Sequence, residues 1–247
     1  MKHTLRSLYR RILPVTTRRW LVRTFRYPYG GRVDLGDLAR PQPISRVWGL
    51  DRGQPVDRYY IEQFLASRAG DVSGYALEIG ENTYTLRYGR ELVVKSDVLH
   101  VAEGAPNATI IADLTRADHI ASHSFDCIIC TQTLHLIYEI EEAITTLERI
   151  LKPGGVLLAT LPGISQISRY DMDRWGDHWR VTSASARRLF GAVFPAEGIQ
   201  MQVYGNVLAA TAFLQGLAVE DLTAGDLDVR DPDYEVLIGV RAVKRGA

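Results

Sequence analysis

The sequence predicts an α/β fold, and three observations carry that prediction. Residues 125–163, FDCIICTQTLHLIYEIEEAITTLERILKPGGVLLATLPG, read as buried strand, amphipathic helix, tight turn and second buried strand in one unbroken stretch. Three earlier apolar runs, YALEIG (75–80), ELVVKSDVLHV (91–101) and ATIIADLT (108–115), are strand-like, and each carries an acid at or near its end. The composition is that of a globular domain: 247 residues, 46% hydrophobic, with 29 basic side chains balanced by 29 acidic ones. A chain of that size can bury a substantial core, and its zero net charge gives no general sign of nucleic-acid binding.

Residues 1–26 hold Lys2, Arg6, Arg10, Arg11, Arg18, Arg19, Arg23 and Arg26 with no acid, interleaved with Leu5, Leu8, Ile12, Leu13, Trp20, Leu21 and Phe25. This N-terminal helical arm, broken in two by Pro14, suits peripheral contact with an anionic membrane surface; packing on an acidic flank of the same chain or on a partner is the alternative. No stretch approaches the roughly 20 apolar residues that span a bilayer, and a secretory signal is not expected, so the compartment expected is cytoplasmic. Residues 27–57 are rich in proline and glycine and read as a connecting segment. A helix follows over 57–68, with Asp57 as its cap.

Within the long unit, Phe125 opens a short β-branched run, whereas Ile140, Ala143, Ile144, Leu147, Ile150 and Leu151 recur on one helix face. The helix is expected to stop at Pro153, with Lys152, Pro153, Gly154 and Gly155 as the turn into a strand from Val156. Cys127 and Cys130 spell CxxC, but three residues apart on a strand they point to opposite faces, so two core residues are expected rather than a redox or metal site. Downstream, residues 165–182 pack aromatics and both charge signs into one loop, and SASARRLFGAVF reads as a helix. Residues 199–207 and 234–244 read as strands, separated by an apolar helix (207–219) and an acidic loop, GDLDVRDPDYE, that reads as a solvated turn or a partner for the basic arm.

The order FD, buried strand, LH, helix and LKPGG, with YALEIG upstream, resembles the class I S-adenosylmethionine (SAM) dependent methyltransferases, in particular the type 11-like group. The resemblance covers roughly residues 60–244. It implies a Rossmann-like seven-stranded methyltransferase sheet with helices on both faces and an antiparallel last strand, in a domain over 59–247 preceded by the arm and connecting segment over 1–58. It also implies SAM as cofactor. Glu78 and Gly80 match the first motif; Asn82 and Tyr84 stand where two further glycines are usual, and Tyr84 either points away or lies over the cofactor. Asp97 matches the carboxylate on the ribose hydroxyls, Asp113 and Leu114 the adenine contacts. Thr131 and Tyr59 complete the expected cofactor set, with Arg58 and Tyr60 as neighbours for the SAM carboxylate or the acceptor; Tyr60 and Phe64 can equally pack on the sheet.

Open α/β sheets bind ligands outside the carboxyl ends of their strands, which directs the acceptor to the loop after LKPGG. Tyr170, Asp171, Arg174, Trp175 and Trp179 are the expected substrate residues, and WGDHWRVTS is similar to a WRFT stretch of the group. Methyl transfer to a hydroxyl needs a base: His178 is preferred, His135 is the alternative because the resemblance gives it a structural role, and Asp177 would orient the base. Aromatics with Asp and Arg suit O-methylation of a sugar in a glycan or glycosylated metabolite. An N- or carboxyl-methyltransferase of a small molecule, or a noncatalytic methyltransferase-like binding domain, are the alternatives. The expected partner is a small-molecule or glycan acceptor and not nucleic acid; homo-oligomerisation is left open.

Overall fold

The computed structural model describes residues 36–246 together with Pro14, Thr16 and Thr17. The rest of the basic arm, with its two expected helices and its membrane or acidic-loop contacts, lies outside the described residues. Contacts divide the chain into Met1–Pro41 and Gln42–Ala247. In the first unit a 3₁₀ turn covers Gly36–Leu38; everything below concerns the second.

The second unit starts earlier than the expected boundary at 58/59 because the connecting segment is tied down by distant residues. Arg52 forms a bidentate pair with Asp221, Glu220 accepts from the Gln54 N–H at 2.9 Å, and Pro55 bridges to Ala218. These partners lie more than 160 residues away, so local composition gives no sign of them.

Seven strands form one sheet in the order β3-β2-β1-β4-β5-β7-β6. They are β1 (Gly74–Ile79), β2 (Val93–His100), β3 (Ile110–Ile111), β4 (Phe125–Thr131), β5 (Leu151–Pro162), β6 (Ile199–Tyr204) and β7 (Leu237–Val243). The first five are parallel, and β7 runs antiparallel between β5 and β6. Six helices accompany them: α1 (Val56–Ala66), α2 (Ile140–Ile150), α3 (Arg169–Met172), α4 (Ser183–Gly191), α5 (Val207–Gln215) and α6 (Ala224–Asp228).

Strand alternation sorts the core into two layers. Leu77, Ile128 and Cys130 meet Ile144 and Leu147 of α2 and Phe190 of α4 on one face; Ala76, Cys127 and Ile129 meet Ile61 and Phe64 of α1 and Phe213 of α5 on the other. The two cysteines are fully buried on opposite faces, and burial pushes both thiols up to about 12. Each fully buried Leu or Ile here contributes about 1.5–3 kcal/mol relative to exposure.

Several boundaries differ from expectation. Helix α2 ends at Ile150, three residues before Pro153, and Leu151 already pairs with Phe125. The next pair is Cys127 with Val156, so Lys152–Gly155 form a bulge opposite Asp126. Asp126 explains it: its carboxylate accepts from Lys152 Nζ at 2.7 Å and from the Tyr75 N–H at 2.8 Å, joining β1, β4 and β5 at their amino ends. The FD and LKPGG pair is thus a structural clasp at the end of the sheet remote from ligands. Helix α1 is capped at Pro55 rather than Asp57, whose carboxylate instead accepts from the Arg58 N–H. Part of the acidic loop is helical as α6, where Thr223 and Asp226 form a capping box.

Candidate cofactor and acceptor site

Two cavities open over the carboxyl ends of β1 to β4, of about 410 and 300 Å³, and they share Ile79 and Gly80. The strand ends deliver one wall of the larger: Ile79 of β1 and Gly80 after it, Leu99 and His100 of β2 and Val101 after it, and Ala112 to Thr115 after β3. The opposite wall is Thr133 and Leu136 to Glu139 after β4, with Trp175 and His178 from the loop between β5 and α4. The smaller cavity is lined by Arg58, Glu78, Glu81, Thr131 and Gln132 besides the shared pair.

Gly80 holds φ +92°, and an added Cβ would meet no atom within 4 Å. The backbone there turns beneath open space, so a ligand can approach it closely. Glu78 is buried, and its carboxylate accepts from the N–H groups of Thr85 (2.7 Å) and Tyr84 (3.3 Å). Burial raises its pKa against those two backbone bonds. Glu78 therefore fixes the turn after β1, which is one short π-helical segment, Thr85–Gly89.

Five of the eight expected cofactor residues line the cavities: Glu78, Gly80, Asp113, Leu114 and Thr131. Three do not. Asp97 pairs with Leu77 in mid-strand, buried and bonded to the Tyr75 hydroxyl and to Lys95 Nζ. Burial alone would raise its pKa, but bonds from Tyr75, Thr109 and Lys95 outweigh it and hold the carboxyl below its usual value. The β2 residues at the cavity are Leu99 and His100, two and three positions on. Tyr84 belongs to the core under α1, where its hydroxyl accepts from Arg58 Nη1 at 2.9 Å. Tyr59 bonds Asp228 at 2.9 Å, away from both cavities, and the Tyr60 hydroxyl bonds the Leu227 carbonyl.

Sequence reasoning missed His100, Gln132 and Tyr138. Gln132 is a non-glycine residue at φ +45°, and its N–H donates to the Thr160 carbonyl at 3.1 Å. Strain of that kind at a cavity wall marks a position where the surroundings hold a side chain against its preference. For His100 a signal existed: Val98 and Leu99 continue the apolar run past Asp97, so the strand had not ended there.

The loop after β5 closes at its base, where the Val181 N–H donates to the Pro162 carbonyl. Asp177 is its internal anchor. Its buried carboxylate accepts from the Ser168 N–H at 2.9 Å and from Arg180 at 2.5 and 2.9 Å. Burial would raise its pKa, and Arg180 with the Ser168 N–H more than offsets that, so the carboxyl sits below its ordinary value. His135, 8% exposed, lies 3.9 Å from Asp177 through Nε2, while Nδ1 is buried without a hydrogen-bond partner among the described residues. Burial, against the pull of Asp177, lowers its pKa to about 4. Its carbonyl accepts from the N–H groups of His178 and Trp179. Asp177 and His135 are thus held by contacts within and beneath the loop, and neither lines the two cavities.

His178 does face one. Its ring lies over Gly176, at φ +94°, where any Cβ would collide with the imidazole, and its edge packs on Tyr138 with centroids 5.5 Å apart. Trp175 lines the same cavity and meets His100 across it at 6.2 Å. The other expected substrate residues stand outside it. Tyr170 packs behind Trp175 with Arg174 stacked on it at 3.6 Å, the Asp171 N–H bonds Ser168, and Trp179 donates to the Ile137 carbonyl while stacking on Tyr138.

An open sheet of this order with cavities over its strand ends defines a doubly wound ligand-binding α/β domain. Residues 65–159 match the family model described as "Methyltransferase domain". Among solved structures, the [4+2]-cyclase SpnF shares 17% identity over 79% of this chain and 84% of its own, with a TM-score of 0.52. A putative sarcosine dimethylglycine methyltransferase from Galdieria sulphuraria shares 15% over 76% and 86%, also with a TM-score of 0.52. At such identities these likenesses show the fold alone. No curated protein matches the chain. Residues 65–159 thus resemble a methyltransferase domain on the fold that these structures share, and SAM is the cofactor this likeness points to. The chain's residues fit that cofactor: Gly80 leaves its backbone open, and the larger cavity is chiefly apolar with Asp113 and His100 on its wall. Among the described residues no helix is long and apolar enough to cross a membrane.

Proposed function

We propose that the protein methylates a hydroxyl of a sugar, within a glycan or a glycosylated metabolite. The observation that carries this reading is the exposed imidazole of His178, framed by Tyr138 and Trp175 at the larger cavity. Aromatic faces stack on sugar rings, and a hydroxyl acceptor, unlike a carboxylate, needs its proton taken. Gly80, Asp113, Leu114 and Thr131 would hold the cofactor, with His100 in the place expected for Asp97. When bound, SAM supplies a methyl group already activated on a sulfonium sulfur. His178 accepts the hydroxyl proton at a ring nitrogen, and Trp175 with Tyr138 keeps water from the acceptor's face.

N- or carboxyl-methylation is the rival within the same fold. The noncatalytic reading loses its motive, since Tyr84 packs into the core and leaves both cavities open. Labelled methyl transfer over a panel of nucleotide sugars, glycosides, amines and carboxylic acids separates these. Turnover of glycosides is expected, with His178→Ala lowering kcat by about 100-fold or more. Turnover of amines or acids alone would end the sugar reading; an unchanged kcat in His178→Ala would end the base assignment.

A further inference from the structure

Charge divides the two cavities. Arg58 and Glu81 give the smaller one a cation and an anion, whereas the larger has two acids, Asp113 and Glu139, and no Lys or Arg among the described residues that line it. The arginines of the loop after β5 do not change that balance. Arg174 stacks on Tyr170 and donates to its carbonyl at 2.8 Å, Arg180 is bound by Asp177 and the Gln166 carbonyl, and Arg169 does not line the cavity.

The two acids differ in what they already hold. Asp113 accepts from the Thr115 N–H and hydroxyl, at 2.9 and 2.8 Å, and stands on the strand wall proposed for the cofactor. Glu139 stands on the opposite wall beside Tyr138, immediately before α2, and is exposed. Its carboxylate does not cap the helix and has no hydrogen bond or ion pair among the described residues. It is therefore free to accept from a ligand hydroxyl at either oxygen. A helix N-terminus ordinarily attracts anions, but Glu141 and Glu142 occupy the first turn of α2 and oppose that attraction.

We propose that Glu139 determines acceptor specificity: it accepts from a second hydroxyl of the sugar and repels acceptors that carry a carboxylate or phosphate. The substrate is then an uncharged glycoside rather than a uronic acid, a sugar phosphate or a nucleotide sugar. This rests on the reading of the larger cavity as a sugar site. The chemistry is asymmetric, because a carboxylate welcomes hydroxyl donors, while a second anion beside it is repelled and finds no cation on the cavity wall.

Matched acceptors test it by labelled methyl transfer from SAM. Nitrophenyl glucoside and galactoside are compared with nitrophenyl glucuronide and galacturonide, which add one carboxylate each, and with the hexose phosphates. Wild type is expected to favour the neutral member by about tenfold or more in kcat/KM. Added salt should narrow that gap, because screening weakens charge repulsion and leaves steric exclusion untouched. Glu139→Gln keeps the shape and removes the charge: the gap should close to within about threefold, with KM for the neutral glycoside rising about three- to tenfold and kcat little changed. Glu139→Arg should reverse the preference. Thermal melts of both variants should match wild type, since the side chain is exposed. Uronosides turned over as well as their neutral partners, or a gap that neither salt nor Glu139→Gln alters, overturns the Glu139 assignment while the sugar reading stands. If amines or simple acids are methylated and no glycoside of either kind is, the sugar reading fails and this proposal with it.

Discussion

Strand ends build one wall of the larger cavity, the loop between β5 and α4 shares the other with the segment after β4, and strand and loop hold their side chains by different means. On the strand wall, the parallel ladder sets each position: Leu99 lies opposite Ile79, and the Gly80 N–H donates to the Leu99 carbonyl, which puts His100 at the rim whatever its side chain. On the loop wall no ladder exists, so side chains do that work. Asp177 gathers Ser168 and Arg180, Arg180 also reaches the Gln166 carbonyl, and Trp179 reaches the Ile137 carbonyl. A strand-end residue is available to a ligand if its register brings it to the rim. A loop residue is available only if the loop does not already use it, which separates His178 from Asp177.

The largest expected effect tests that distinction. Asp177→Ala leaves Arg180 without its carboxylate and the buried Ser168 N–H without an acceptor, and breaking such a pair typically costs about 3–5 kcal/mol. Urea unfolding should show a loss near the lower end, since Arg180 keeps partial access to water. A variant as stable as wild type that had lost turnover would return Asp177 to the catalytic group.

Next in size is a pH effect at His135. Its folded-state pKa is lowered, to about 4 from an ordinary 6.5, chiefly by burial. Between those values the unfolded chain binds the proton and the folded chain does not, so stability falls as pH drops through that window. The depressed pKa of Asp177 acts lower still, its contribution being lost as pH falls below the ordinary carboxylate value of 3.8. Urea midpoints at pH 7 and roughly 4.5 should differ in wild type, and the difference should shrink in His135→Gln. An identical pH slope in both proteins would mean that the buried neutral imidazole is not what resists acid.

The same contrast explains what could be read from the sequence. The i, i+3, i+4 pattern of α2 and the apolar runs of β1, β4 and β5 are local signals, and those elements appear within a few residues of their expected places. The ties of residues 42–55 to 217–221 and the bulge that Asp126 and Lys152 clasp depend on partners far away in sequence. At the site, Glu78, Gly80, Asp113, Leu114, Thr131, Trp175 and His178 line the cavities, because motif position and strand end coincide for most of them. Tyr59, Tyr84, Asp97, His135 and Asp177 do not line them. Sequence gives the residue type, whereas function follows direction, and each of these five is turned away by hydrogen bonds or packing that only the fold supplies.

The smallest effect sharpens the comparison on the strand wall itself, between two β2 residues three positions apart. The His100 ring accepts the Ala102 N–H at Nδ1, 2.9 Å away, so in the neutral ring the proton sits on Nε2. The rim of β2 therefore offers a donor where the resemblance expects an acid. His100→Ala should weaken S-adenosylhomocysteine by about three- to tenfold, the range of one hydrogen bond, with little change in the urea midpoint. Asp97→Ala should do the reverse, because it strips the Tyr75 hydroxyl and Lys95 of their shared carboxylate beneath the site. Comparable losses of affinity in both variants would mean that β2 reaches the ligand from mid-strand, and register would no longer decide which strand residue is free to bind.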